Sequence, residues 1–414
     1  MRKPKFLWFV LPVLSFILAA CSTSANRASV PEFGPSRLEQ DPTSSPLPEA
    51  TVHEKAACED PFGNTTPSFR VDGWDTNFCL HSVDYGEIFS GGPPRDGIPP
   101  IDNPRFESVD SADEWIEDLE PVILLDHENE VRGYPLQIMT WHEIINDEVN
   151  GDPIVVTFCP LCNTALVFSR PVIDGVTLTF GTSGNLRFSD LVMWDRQTES
   201  WWQQFTGEAI VGDLTGYKLD SIPAAIISWA DFKSKYPDSL VLSNDTGFQR
   251  SYGRNPYSGY DNINSYPFAF TGDLDGELPA MARVVGIRLD DGQGGAFSLE
   301  TLRENQVLNE NLGGSPVVLF WKSGTASALD SSSIADGRDI GTTAVFSPRV
   351  EGEDLTFTAL EGDLFLDQET GSIWDIFGEA LEGPLKGSRL IPLAHHDTFW
   401  FAWAAFIPDG DLNQ

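Results

Sequence analysis

Apolar residues first outline a helix. Between Pro135 and Val149, the residues Ile138, Trp141 and Ile145 recur at the spacing of one helical face. Proline is favoured in the first turn of a helix, where its missing N–H costs nothing. The pattern therefore predicts a helix over Pro135–Val149.

The residues after this helix change to the pattern of β-strands. An Asn-Gly-Asp-Pro cluster at 150–153 breaks the helix, and three β-branched or apolar runs follow, at Ile154–Phe158, Thr164–Ser169 and Val176–Phe180. Short runs separated by turn residues favour antiparallel pairing. The sequence therefore predicts a strand-rich α+β fold and not the alternating βαβ order of a dinucleotide-binding domain.

The same pattern occurs twice in the chain. Residues 134–166 align without a gap on 297–329, and 194–219 align on 366–390 with a one-residue gap. Shared identities include Leu136/Leu299, Asn146/Asn309, Gly151/Gly314, Pro153/Pro316, Val155/Val318, Ala165/Ala328, Asp195/Asp367, Thr198/Thr370, Ser200/Ser372 and Trp202/Trp374. We interpret the chain as two diverged tandem copies of one helix-plus-antiparallel-sheet unit.

This duplication predicts the domain organisation. A leading segment covers 58–119, repeat unit one covers 120–240, an aromatic connecting loop covers 241–281, and repeat unit two covers 282–414. The connecting loop contains YGRNPYSGY at 252–260, and the leading segment contains the Gly- and Pro-rich stretch 91–100, which can form neither a helix nor a central strand.

The N-terminus has the pattern of a lipoprotein signal peptide. Arg2, Lys3 and Lys5 precede the uncharged run 6–20, which ends in Leu-Ala-Ala before Cys21. That run is shorter than the ~20 residues that cross a bilayer. We expect residues 1–20 to be removed, Cys21 to carry the lipid and 21–57 to be a flexible tether.

Composition then limits the partners. The chain has 62 Asp+Glu and 26 Lys+Arg, a formal charge of −36, and removal of the signal peptide would leave 23 basic residues. Such a surface excludes a nucleic-acid binder held by phosphate contacts. The expected location is extracytoplasmic, on a bacterial membrane through the Cys21 lipid. Any small-molecule or protein partner stays open.

Candidate chemistry occurs in unit one alone. His142 and Glu143 lie on the predicted helix, and Cys159 and Cys162 form a CPLC motif after the first strand. The aligned positions of unit two are Asn305, Gln306, Lys322 and Thr325. Two thiolates and an imidazole suit a zinc or copper ion, so we expect His142, Cys159 and Cys162 to be ligands. His81 is a candidate fourth ligand, and Glu143 is a candidate proton acceptor.

Two other interpretations of the cysteines remain open. A Cys-x-x-Cys pair beside a histidine also suits thiol-disulfide exchange, although a strand follows here where a thioredoxin-like site has a helix. Alternatively, the pair forms an inert bridge in a non-enzymatic binding module. Whether the protein is an enzyme is left open. Cys58 and Cys79, in the leading segment, are expected to pair with each other.

Several motifs together resemble domain-of-unknown-function family 3179. They are SGGPPRDGIPPID at 90, YPL at 134, WHEIIND at 141, TFCPLCNTA at 157, FGTSG at 180, LVMWDR at 191, YGRNPYSGYD at 252 and RVVGI at 283. The likeness covers about 79–410. It implies an exported or membrane-attached prokaryotic protein and implies no particular reaction, substrate or metal.

Overall fold

A computed structural model describes residues 58–63, 65–289 and 294–413. The expected signal peptide, the lipidated Cys21 and the tether therefore lie outside the described residues. Helices are short and strands are many, so the fold is strand-rich α+β as predicted. The helices are α1 (Val109–Ala112), α2 (Leu136–His142), α3 (Trp229–Lys235), α4 (Leu299–Asn305) and α5 (Trp400–Phe406), with 3₁₀ turns at Tyr85–Glu87 and Ile334–Asp336.

Sixteen strands precede residue 243. They are β1 (Ile88–Ser90), β2 (Phe106–Ser108), β3 (Pro121–His127), β4 (Glu130–Pro135), β5 (Ile144–Val149), β6 (Asp152–Cys159), β7 (Thr164–Ser169), β8 (Val172–Ile173), β9 (Val176–Thr177), β10 (Phe180–Arg187), β11 (Asp190–Asp195), β12 (Trp201–Gln203), β13 (Glu208–Val211), β14 (Ser221–Ile222), β15 (Ala225–Ser228) and β16 (Leu240–Leu242). Their main sheets have the orders β1-β10-β11-β12-β13, β14-β7-β6-β5 and β15-β3-β4-β16-β2.

Fourteen further strands follow residue 282. They are β17 (Arg283–Arg288), β18 (Gly294–Ser298), β19 (Val307–Leu312), β20 (Ser315–Lys322), β21 (Thr342–Ser347), β22 (Arg349–Val350), β23 (Glu353–Asp354), β24 (Phe357–Leu360), β25 (Leu364–Asp367), β26 (Ile373–Trp374), β27 (Ala380–Glu382), β28 (Ile391–Pro392), β29 (His395–Phe399) and β30 (Asp411–Asn413). Their main sheets have the orders β29-β17-β18-β30, β19-β20-β21-β28 and β24-β25-β26-β27.

The helix predicted over Pro135–Val149 is only half right. The helix α2 ends at His142, and the C-cap residue Glu143 has φ 59°, so the chain turns into strand β5. Both Ile144 and Ile145 are fully buried, although adjacent residues of a strand point to opposite faces. Burial of both faces of β5 therefore outweighs the helical spacing of its apolar residues.

The three strands predicted after residue 153 are all present, the third in two pieces. Strands β6 and β7 contain the first two predicted runs, and residues 176–180 divide between β9 and the start of β10. The stretch 91–100 contains no helix or strand, as predicted. Residues 243–282 likewise contain neither, apart from a single bridge at Arg254.

The predicted bridge between Cys58 and Cys79 is confirmed as a disulfide. It ties the start of the described chain to a cluster of aromatic side chains under β12 and β13. Of the five α-helices that the structure describes, none is long and apolar enough to cross a membrane.

The largest apolar core joins the two halves of the chain. It contains the paired cysteines and Trp202 from the first half, and Val284 and Trp403 from the second. All are nearly or completely buried. The cysteine loop therefore lies inside a core that both halves build, and not at the surface of one of them.

Candidate functional site

The CPLC motif forms the tight connection between two central strands. Strand β6 ends at Cys159, β7 begins at Thr164, and Asn163 adopts a left-handed φ of 56° to close the turn. Only 2% of Cys159 and none of Cys162 is exposed, and both are free thiols. The turn thus brings both sulfurs to one side of a buried loop.

Asp190 completes a compact group with these sulfurs. The two cysteine sulfurs and an Asp190 carboxylate oxygen all lie within 4.8 Å of one another. Asp190 is the first residue of β11 and is fully buried. It reaches the cysteines because Phe188 and Ser189 form a tight turn with φ 49° and 67° between β10 and β11. We call Cys159, Cys162 and Asp190 the thiol–carboxylate group.

The two carboxylate oxygens of Asp190 differ in their hydrogen bonds. Oδ2 accepts hydrogen bonds from Gln203 Nε2 and from the Phe205 backbone N–H, the latter at 3.0 Å. Oδ1 is buried and accepts no hydrogen bond from a nitrogen or oxygen of the described residues; the thiols of Cys159 and Cys162, which are weak donors, are the other groups that interact with this carboxylate. A buried acceptor left unpaired costs about 1–3 kcal/mol, so this oxygen indicates a missing partner.

The electrostatics of the group are those of buried acids without a counter-charge. Burial raises the pKa of both thiols, and it raises the pKa of Asp190 to about 6 despite hydrogen bonds from Gln203 and Phe205. Arg187 lies opposite Asp190 in the β10–β11 register, but its guanidinium pairs with Glu87 and is connected to Asp190 through Gln203. A cation bound here would supply the charge that the protein does not.

Glu143 lies beside the group. The backbone N–H of Phe158 donates to the Glu143 carbonyl at 2.8 Å, which places this residue next to the end of β6. Its side chain is 6% exposed, and Tyr257 Oη donates to Oε1 over 3.4 Å. Burial raises the pKa of Glu143 to about 8, so the carboxyl is largely protonated at neutral pH. It can hold a proton there, as a candidate acid or base must.

His142 is not part of the thiol–carboxylate group, contrary to the expectation that it joins the cysteines. Its Nδ1–H donates to the Pro99 carbonyl at 2.7 Å, and its Nε2 accepts from Tyr252 Oη at 2.7 Å. Because the helix ends at residue 142, the following turn directs Glu143 toward the cysteines instead. His142 links the 91–100 stretch to the connecting loop.

His81, the candidate fourth ligand, is also outside the group. It is exposed, and its Nδ1 contacts the Val83 carbonyl at 2.9 Å. The structure therefore brings together two of the predicted ligands, Cys159 and Cys162, and adds Asp190. Sequence reasoning missed Asp190, and the only available signal was an acid at the start of the apolar run DLVMWD.

The second half of the chain supports the cysteine loop from outside. The Cys162 carbonyl accepts from the Phe399 backbone N–H at 3.1 Å and from Thr398 Oγ1 at 2.9 Å. Asn163 Nδ2 donates to the Asp397 carbonyl at 3.1 Å. Strand β29 thus fixes the backbone of the loop that carries both sulfurs.

A cavity of about 360 Å³ lies next to Glu143. It is partly open and is lined by the cysteine loop, the β10–β11 hairpin, the 91–100 stretch and the connecting loop. The lining residues are Gly91, Pro93, Ile98, Glu143, Leu161, Thr182, Gly184, Asn185, Leu186, Leu191, Tyr257, Tyr260 and Phe268. Its volume is in the range of small-molecule sites.

Comparison with known proteins gives a family but no relative of known activity. No curated protein and no solved structure matches the chain significantly. One family model matches residues 95–410, which include α2, the cysteine loop, Asp190 and most of the second half. The chain therefore belongs to the family described as Protein of unknown function (DUF3179).

Proposed function

We propose that Cys159, Cys162 and Asp190 bind one transition-metal ion, zinc or copper. The observation that carries the proposal is the convergence of two sulfurs and a carboxylate oxygen within 4.8 Å, fully buried, with Asp190 Oδ1 accepting no hydrogen bond from a nitrogen or oxygen of the described residues. Thiolate and carboxylate ligands bind Zn²⁺ at about 2.0–2.3 Å, so three ligand atoms around one ion must lie this close together.

The charge of the site favours a cation over an empty core. Three buried acids with no ion pair among the described residues are costly to ionise, which is why their pKa values are raised. A bound ion would reverse that preference, because a coordinated thiol loses its proton. Three protein ligands leave a fourth position for water or a small molecule.

Thiol-disulfide exchange is the weaker alternative for these cysteines. It requires a thiolate that a partner disulfide can reach. Here both sulfurs are buried, and burial raises the pKa of each thiol. The same features that support a metal ligand therefore disfavour a redox nucleophile.

Metal analysis of purified protein without an affinity tag tests the proposal. Cells are grown with added zinc or copper, and we expect about one equivalent of one of these ions per chain. Cys159→Ser and Asp190→Asn should each lose most of it. Asp195→Asn is the matched control, because Asp195 is another buried carboxylate, five residues along the same strand and outside the group. It should retain the ion.

Cobalt substitution keeps the test decisive if a variant is unstable. Co²⁺ bound by thiolates gives an intense sulfur-to-metal absorption band in the near ultraviolet, and this band should appear in folded wild-type protein. Less than stoichiometric metal together with no such band would refute the metal site. Normal metal content in Cys159→Ser would do the same.

We also propose that the protein is an exported lipoprotein anchored through Cys21. The signal pattern of residues 1–20 supports this, and the Cys58–Cys79 disulfide agrees with an oxidising compartment. Metabolic labelling with an alkyne fatty acid should label the wild type and not Cys21→Ala. Equal labelling of both would contradict the anchor.

We further propose that 120–240 and 282–414 descend from one duplicated unit. Supporting this, the sheets β15-β3-β4-β16 and β29-β17-β18-β30 have the same order, and β16 and β30 are each the parallel strand of their sheet. The C-cap residues of α2 and α4, Glu143 and Gln306, both have positive φ. An experimental structure with a different strand order in the two halves would contradict the duplication.

A further inference from the structure

The cavity beside Glu143 contains a buried carboxyl group that the protein does not satisfy. Among the described residues its single hydrogen bond is the 3.4 Å contact from Tyr257 Oη to Oε1, and Oε2 accepts none. The side chain is 6% exposed and lines the cavity. Oε2 is not among the sealed polar atoms of the described chain, so it is available to a ligand that enters the cavity.

The backbone at Glu143 is specialised as well. It has φ 59°, a conformation that a residue with a side chain rarely adopts. The aligned Gln306 has φ 62° but carries no charge, and Gln306 is absent from the lining of this cavity. The two positions share a turn, so the turn alone does not require a carboxyl group.

The remaining walls of the cavity favour a positively charged guest. Tyr257, Tyr260 and Phe268 contribute three aromatic rings, and the faces of such rings attract cations. None of the described lining residues is Lys, Arg or His. Phe268 is 54% exposed, at the outer edge of the connecting loop, where a ligand can enter past it.

We propose that this cavity binds a small organic ammonium ion. The ammonium charge pairs with Glu143, whose carboxyl group releases its proton to solvent as the cation binds, and the alkyl groups around the nitrogen contact the tyrosine rings. The volume of about 360 Å³ accommodates an alkylammonium the size of choline or larger. The inference does not require a metal in the thiol–carboxylate group.

Other guests fit the lining less well. An anion would meet Glu143 and the nearby Asp190 without any compensating cation. A hard inorganic cation needs about six oxygen ligands, whereas this lining offers one carboxylate and a few polar groups among apolar side chains. A neutral apolar molecule would leave the carboxyl unpaired.

Titration calorimetry with two matched probes tests the proposal. Choline and 3,3-dimethylbutan-1-ol have almost the same shape, but only choline is charged. We expect choline to bind wild-type protein at least tenfold more tightly than the alcohol. Glu143→Gln, which preserves the size of the side chain, should weaken choline binding at least tenfold and leave alcohol binding unchanged.

Three further variants complete the design. Gln306→Leu changes the equivalent turn in the second half and should alter neither affinity. Tyr257→Ala removes one of the rings that contact the alkyl groups and should weaken binding of both probes, which separates the contribution of the cavity wall from that of the charge. Cys159→Ser should retain choline binding, so failure of the metal site and failure of this site can be told apart.

Clear outcomes overturn the proposal. Equal binding of the alcohol and choline would show that charge is not recognised. Unchanged choline affinity in folded Glu143→Gln would exclude this carboxyl as the partner. Absence of binding by both choline and the larger benzyltrimethylammonium would exclude an ammonium site.

Discussion

The same buried aspartate and tryptophan pair occurs in both halves, and it allows a matched stability experiment. Trp202 Nε1 donates to Asp195 Oδ2 at 2.9 Å, and Trp374 Nε1 donates to Asp367 Oδ2 at 2.9 Å. Both aspartates and both tryptophans are fully buried. The perturbation is Asp→Asn, which replaces one carboxylate oxygen by a donor of similar size.

The pKa shifts of the two aspartates differ in sign. At Asp195 burial outweighs the hydrogen bonds from Trp202 and Thr198 and raises the pKa. At Asp367 burial also acts to raise the pKa, but the hydrogen bonds together outweigh it and lower the pKa. The ionised form is therefore favoured by folding at Asp367 and disfavoured at Asp195.

The sign of each pKa shift predicts how much each Asp→Asn substitution lowers the free energy of unfolding. A hydrogen bond to a charged group contributes about 1.5–3 kcal/mol, and an unpaired buried indole N–H adds to the loss. Asp367→Asn should therefore lower the free energy of unfolding at neutral pH by about 3 kcal/mol. Asp195→Asn should lower it by less, because the substitution also removes an unfavourable buried charge.

Urea denaturation followed by tryptophan fluorescence, between about pH 3 and pH 7, measures both effects. The contribution of Asp367 is present above its ordinary pKa and is lost in acid, so the cost of Asp367→Asn should grow as pH rises. The contribution of Asp195 is largest in acid, so the cost of Asp195→Asn should shrink as pH rises. If both costs change in the same direction, or if Asp367→Asn costs under about 1 kcal/mol at neutral pH, the reasoning is refuted.

Further predictions concern the disulfide, His142 and a buried ion pair. Replacing both Cys58 and Cys79 by serine should lower the free energy of unfolding by about 3 kcal/mol, and dithiothreitol should have little further effect on the denaturation midpoint. His142→Phe should leave metal content unchanged but speed proteolysis of the connecting loop. If the loop stays as resistant to proteolysis as in the wild type, His142 does not link it to the 91–100 stretch. Because burial lowers the pKa of His142 below 6.5, its stabilising contribution is present above pH 6.5 and should decline below it, as denaturation of wild type and variant would show. Asp261→Ala should destabilise by about 3–5 kcal/mol because it leaves the buried guanidinium of Arg283, 2.9 Å away, without its ion-pair partner; a denaturation midpoint near that of the wild type would refute this.

The sequence predicts the three strands that follow residue 153 and misplaces one helix boundary, for a physical reason. Helical spacing of apolar residues continues through β5, so periodicity alone could not end the helix at His142. What ends it is the left-handed turn at Glu143, a conformation that glutamate rarely adopts and that no sequence pattern signals. The adjacent isoleucines at 144 and 145 were the available hint of a strand buried on both faces.

The candidate site was also predictable only in part. Only two residues separate Cys159 from Cys162, so a tight turn between paired strands brings the two side chains together. Asp190 lies 28 positions after Cys162 and arrives through a turn made by Phe188 and Ser189, neither of which is a typical residue for positive φ. The expectation that His142 joins the cysteines rests on a helix that continues to Val149, whereas α2 ends at His142 itself.

The backbone contacts of strand β29 make the cysteine loop dependent on the second half of the chain. The second half has Lys322 and Thr325 where the first has cysteines, and it could seem dispensable. Yet Phe399 and Thr398 hold the Cys162 carbonyl. A chain truncated after residue 240 would thus keep Cys159, Cys162 and Asp190 but lose the strand that holds the backbone of the cysteine loop.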